Sequence, residues 1–168
     1  MIGAMGAWRT AVTQQLRKAG VDAVEAMEPE HVPRRRSPAI AVALAGVVCG
    51  SGGFQDYLGL EQDPDTGGQR EVFGRSAELT LEMDIFAPRD AGAAACRETA
   101  EQAMGELLFL GAAGLPVTEL TVGETEFLER DGLYRLPVRC RCKAWLTALS
   151  GGEDSGTFTD FEVRGTTN

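Results

Sequence analysis

LPVTELTVGETEFLER (residues 115–130) and LYRLPVRCRCKAWLTAL (residues 133–149) flank the pair Asp131-Gly132, and their reading decides the fold. An Asp-Gly pair between two β-rich runs is a hairpin signal, because the turn needs residues that tolerate positive φ. The second run alternates with a period of two. Leu136, Val138, Cys140, Cys142, Ala144 and Leu146 fall on one face, and Arg135, Arg139, Arg141, Lys143 and Trp145 on the other. A hairpin over residues 115–146 with one apolar and one cationic face is a scaffold element rather than a catalytic one.

Working outward, SAELTLEMDIFAP (residues 76–88) alternates just as clearly. Ala77, Leu79, Leu81, Met83 and Ile85 point one way, and Glu78, Thr80, Glu82 and Asp84 the other. Its acidic row suits a strand adjacent to the cationic row, where each opposite cross-strand pair contributes about 0.2–1 kcal/mol. Between the two lies a helix over residues 91–110, with Cys96, Ala100, Ala103, Leu107 and Leu110 as its apolar stripe. Towards the N-terminus, Trp8, Val12, Leu16 and Ala19 recur at helical spacing over residues 6–19, and Gly20 closes that helix. A short strand is expected over residues 21–27, then the loop EPEHVPRRRSP. AIAVALAGVV (residues 39–48) reads as a central strand covered on both faces.

CGSGG then acts as a hinge into FQDYLGLEQDPDTGGQREVFGR (residues 54–75), a stretch of weak periodicity with too many apolar groups for a linker. It reads as an arm, or extended hairpin, that packs against a neighbouring chain. The expected fold is α+β: a mostly antiparallel sheet with two helices on one face, and a long extended arm over residues 50–75. One domain, residues 1–168, accounts for the length, with a C-terminal tail over residues 150–168 that ends in the extended piece FTDFEVRG.

Composition narrows the function. The 168-residue chain carries a formal charge of -9, against a protein whose main task is to grip nucleic-acid phosphates. Neither a signal peptide nor a membrane span is expected. The single histidine, His31, sits in the proline-rich loop and reads as solvated. Cys140 and Cys142 share the apolar row, and neither Cys49 nor Cys96 supplies a second ligand pair for zinc, so all four read as free thiols. Gly50-Ser51-Gly52-Gly53 has no following Lys-Ser/Thr and reads as a hinge, not a phosphate cradle. Glu119, Glu124, Glu126 and Glu129 have no accompanying nucleophile or base and read as a strand face. No catalytic, cofactor-binding or metal-binding residue is assigned, and no cofactor is expected. The arginines Arg34, Arg35 and Arg36 fit a phosphate contact, a solvated loop or acidic residues of a neighbouring subunit, and the acidic excess elsewhere favours the last. Trp145, on the cationic face, is either covered by the tail strand or part of an interface.

The succession GAWRTAVTQQLRKAG, VPRRRSP leading into AIAVALAGVV, AELTLEMDIFAP, a helix and a closing hairpin resembles the tail-terminator proteins of tailed bacteriophages and related contractile particles. That resemblance covers most of the chain in order and texture. It implies a structural virion protein rather than an enzyme: a hexameric ring that caps the tail tube, ends its polymerisation and offers a joining surface to the neck. The partners implied are other copies of the chain, the tail tube protein, and sheath and neck or connector proteins. DNA would pass through the pore without specific binding, and the acidic charge suits that. The implied location is the tail or neck of the virion, assembled in the host bacterial cytoplasm, with no membrane involved. Expected subunit and partner contacts are Arg34, Arg35, Arg36, Phe54, Tyr57, Leu58, Leu60, Phe73, Trp145, Phe158 and Phe161. Two other readings remain open: another neck or tail component such as a connector, tube-like or baseplate protein, and a small-molecule-binding α+β domain.

Overall fold

Two long strands, each with apolar residues at every second position, pair along their whole shared length and set the architecture. In the computed structural model, which describes residues 2–26, 36–51, 56–149 and 161–165, these are β4 (Gln69–Pro88) and β7 (Leu133–Leu149). They run antiparallel from Val72↔Leu149 to Pro88↔Leu133 without a register shift. The fold is α+β: the described residues form an eight-stranded and mostly antiparallel sheet with two helices. On one flank of β4 lie β2 (Ala39–Cys49) and β3 (Tyr57–Gln62), with β1 (Ala23–Glu25) parallel to β2 at the margin. Along the far flank of β7, β6 (Glu126–Leu128), β5 (Val117–Val122) and β8 (Phe161–Arg164) follow one another end to end.

Alternation gives the sheet two unlike faces. Leu79, Leu81, Met83 and Ile85 of β4 and Leu136, Val138, Cys140 and Cys142 of β7 are buried under α1 (Ile2–Lys18) and α2 (Gly92–Leu110). Each helix bonds to the residues just beyond the end of the other: Trp8 Nε1 donates to Ala112 O at 2.8 Å, and Gln102 Nε2 donates to Ala19 O at 2.8 Å. Between them, Gln15 donates to Gly111 O and accepts from Ala113 N–H, satisfying backbone groups just beyond α2. The Trp8 ring is buried, and its N–H pins α1 to the turn after α2.

The opposite face carries the charges. Glu78, Glu82 and Asp84 on β4 stand beside the β7 row, which is flanked in turn by Glu119 on β5 and Glu126 on β6. Arg139 reaches Glu82 at 2.7 Å, Arg135 reaches Asp84 at 2.9 Å and Glu126 at 2.8 Å, and Arg141 reaches Glu119 at 3.0 Å. The expected pairing of acidic and cationic rows is present. All of these groups are substantially exposed, so each pair adds little to stability.

The structure departs from the sequence reading in four places. Strand β2 is not covered on both faces: Ile40 and Val42 are buried, but a bulge between Leu44 and Gly46 turns its far half outward, and Val48 is 68% exposed. The strand expected over residues 21–27 is limited to β1. Leu110 is not part of the α2 stripe: the buried row ends at Leu107, and the Leu110 side chain is exposed. The first arm of the organising hairpin is split into β5 and β6 by residues 123–125. Pro137 explains the split. Its carbonyl accepts from Gly123 N–H at 2.8 Å, but it has no N–H to return to that side, so the ladder opens opposite it. Gly123 suits the close approach, since a Cβ there would meet Pro137 Cγ at 2.8 Å.

The two faces predict opposite mutational sensitivities. Leu81→Ala, at a fully buried site, is expected to cost about 2–5 kcal/mol, whereas Arg139→Ala is expected to cost about 1 kcal/mol or less. Urea denaturation of both variants at low and high salt tests this, and only the Arg139 effect should shrink with salt.

Candidate interaction surfaces

The arm follows from β4 being longer than the sheet around it. Strand β2 leaves β4 at Cys49↔Ala77, with one more bond from Gly50 N–H to Ser76 O, and β3 takes up the same flank from Tyr57↔Phe73. The two strands thus occupy one lane along β4. From Gln69 to Glu71, β4 pairs only with β3 among the described residues, so a two-stranded ribbon projects from the sheet. Such a ribbon is marginal on its own and needs support at its root. Tyr57 and Phe73 meet edge to face at 5.5 Å, Arg75 pairs with Asp56 at 2.7 Å, and Glu61 pairs with Arg164 of β8 at 3.0 Å. Leu58 lies over Gly74, where a Cβ would approach Leu58 Cδ1 to 2.6 Å and Leu146 O to 2.9 Å. The turn is closed by Asp63, whose carboxylate accepts from Asp65 N–H and the Thr66 hydroxyl; those bonds hold it below the usual aspartate range.

The expected contact residues fall into separate regions. Tyr57, Leu58 and Leu60 are exposed on the ribbon, with Leu60 at 58%. Phe73 is half-buried at its root. Trp145 is half-buried opposite Arg164, so β8 does run beside it. Arg36 is exposed near the start of β2, at the level of Phe86 on β4, while Leu60 is level with Glu71. Fifteen strand residues separate those levels, about 45–50 Å at some 3.3 Å per residue. Arg36 and the arm therefore lie at opposite ends of the sheet rather than on one surface. Arg34, Arg35, Phe54 and Phe158 lie outside the described residues, as does His31, and Phe161 is described only as a backbone position in β8.

One apolar surface was missed in the sequence. Leu108, Phe109 and Leu110 end α2 exposed to solvent, with Phe109 90% exposed. The run Leu107-Leu108-Phe109-Leu110 held the signal, because at 100° per residue only one or two of four consecutive side chains can face the core. Leu107 takes that place, and the other three form a knob just before Gly111.

Reactive chemistry is muted. The Sγ atoms of Cys140 and Cys142 lie 3.8 Å apart and both residues are buried. The hydrogen bond shared with Cys140, and then burial, push the Cys142 thiol up. Burial likewise raises Cys96. Among the described residues, no group of three or more His, Cys, Asp or Glu is placed to hold a metal ion, and no helix is long and apolar enough to cross a membrane. Compared with known proteins, the chain matches no family model and no curated protein.

Thiol accessibility offers a direct check. Cys49 is exposed while Cys96, Cys140 and Cys142 are buried. An aromatic disulfide reagent is expected to titrate one thiol rapidly in the native protein and all four in denaturant. Fast reaction of Cys140 or Cys142 in the native state would contradict the packing of β7.

Proposed function

We propose that the protein is a structural, ring-forming component that caps a phage-type tail tube, ending its polymerisation and joining it to the neck. The observation that carries this reading is the β3–β4 ribbon, which extends beyond the sheet and exposes Tyr57, Leu58 and Leu60 to solvent. A projecting strand pair with apolar side chains is suited to a neighbouring chain, since exposed apolar patches mark interaction sites. The separation of the arm and Arg36 at opposite ends of the sheet also suits a subunit contacted on two sides, as head-to-tail closure requires. The net charge of -9 suits a pore that DNA traverses without adhering, because adhesion comes from neutralising phosphates. In this reading the protein acts by shape and binding energy, and breaks no covalent bond.

Light scattering on the purified chain is expected to give a small closed oligomer. Electron microscopy with tail tubes is expected to show rings at one end only. A stable monomer, or decoration along the whole tube, sinks the reading. Removing residues 59–70 and closing the ribbon with Asn-Gly is expected to leave the melting temperature nearly unchanged while abolishing assembly. The cut stops short of Val72 and Phe73 because both pair with β7. Global unfolding of this variant would mean that the ribbon belongs to the core.

A further inference from the structure

Cys140 and Cys142 lie on the same face of β7 with their Sγ atoms 3.8 Å apart, and both are fully buried. Cys96, the other buried thiol, is out of reach of the pair. Its Sγ contacts Ile85 O and Tyr134 O at 3.7 Å each, and Tyr134 precedes Cys140 on β7 by about 20 Å at some 3.3 Å per residue. The two sulfurs therefore have each other as the nearest thiol.

Cover over the pair is uneven. On the β4 side, Leu81 and Leu79 stand opposite Cys140 and Cys142 and are fully buried. On the other side is β5, the last strand in the order of the described sheet. Its Leu120 and Val117 stand opposite the same two cysteines and are only half-buried. The ladder from β5 to β7 is also interrupted by a register shift between Val117 and Glu119, next to Cys142. A short edge strand with an interrupted ladder opens at lower cost than the long β4–β7 pair.

We propose that Cys140 and Cys142 form an oxidation site, which a small peroxide reaches by local opening of β5 and converts into a disulfide within β7. The two sulfurs take different roles. The hydrogen bond between them draws the Cys140 thiol down against its burial, and the same bond, with burial, pushes Cys142 up. Cys140 is thus the first to lose its proton. Its thiolate attacks one peroxide oxygen: the S–O bond forms, the O–O bond breaks, and the departing hydroxide takes up a proton to become water. Cys142 then gives up its proton and attacks the Cys140 sulfur. The S–S bond forms, the S–O bond breaks, and a second hydroxide leaves and becomes water. Two thiols are oxidised to one disulfide, and one peroxide is reduced to two waters. Same-face neighbours on a strand have Cα atoms about 6.6–6.8 Å apart, at the long end of the roughly 4.4–6.8 Å that a disulfide spans. The product is therefore strained and readily reduced, and it pulls on the ladder opposite Leu79 and Leu81.

The test counts thiols. A Cys49→Ser chain keeps only the three buried cysteines. The folded chain is treated with hydrogen peroxide well beyond the exposure that consumes Cys49 in the unsubstituted chain, then denatured, alkylated and mapped by mass spectrometry. One free thiol, at Cys96, and a peptide carrying a Cys140–Cys142 disulfide are the expected result. The melting temperature should fall by several degrees and return on reduction. Cys142→Ala is expected to give no disulfide and no reducible shift. Retention of all three thiols, or a disulfide that contains Cys96, overturns the inference. Leu120→Ala and Leu44→Ala then locate the opening, since both leucines are half-buried against the core on opposite flanks of the sheet. Disulfide formation is expected to quicken severalfold in Leu120→Ala alone; equal rates in the two variants would overturn the route through β5.

Discussion

Every other part of the molecule depends on the antiparallel ladder between β4 and β7. Because side chains alternate, one register puts Leu79, Leu81, Met83, Leu136, Val138 and Cys140 together on one face. A slip of one residue would bring Glu82 and Arg139 under the helices, so the register is fixed by what cannot be buried as much as by what can. Both helices pack on the apolar face, β2 completes one flank, and three short strands share the other. The ribbon is the same strand β4 continuing after its neighbours have stopped.

The charged face of the ladder is a neutralised surface. Arg135, Arg139, Arg141 and Lys143 are set between Glu78, Glu82 and Asp84 on one side and Glu119 and Glu126 on the other. A phosphate backbone would have to compete with carboxylates already within 3 Å of Arg135, Arg139 and Arg141. Stability comes from the covered face, where burial excludes water; the exposed pairs chiefly make alternative registers and partners unfavourable. The large apolar side chains exposed among the described residues gather instead mainly on the ribbon and at the end of α2.

The proposed contact would depend on strength at the root of the ribbon. Isolated two-stranded hairpins hold their shape poorly in water. Here Tyr57 against Phe73, Leu58 over Gly74, and Glu61 bound to Arg164 of β8 tie the ribbon to the sheet on both of its faces. A contact element that is already ordered loses less entropy on docking than a free loop would.

Sequence alone determined the two faces of β4 and β7, the turn at Asp131-Gly132 and both helices, because each depends on local periodicity or on one residue's tolerance of positive φ. It also contained the acidic and basic rows that pair across the ladder, since opposite charges at a period of two have few other arrangements. What only the tertiary structure decided was where support ends. Periodicity cannot tell that β2 turns outward after Leu44, that Pro137 splits the facing strand, or that the buried row of α2 stops at Leu107 so that Leu110 joins Phe109 in solvent. Those outcomes depend on which neighbour lies beside each residue, and a neighbour distant in the chain leaves no mark on the local pattern.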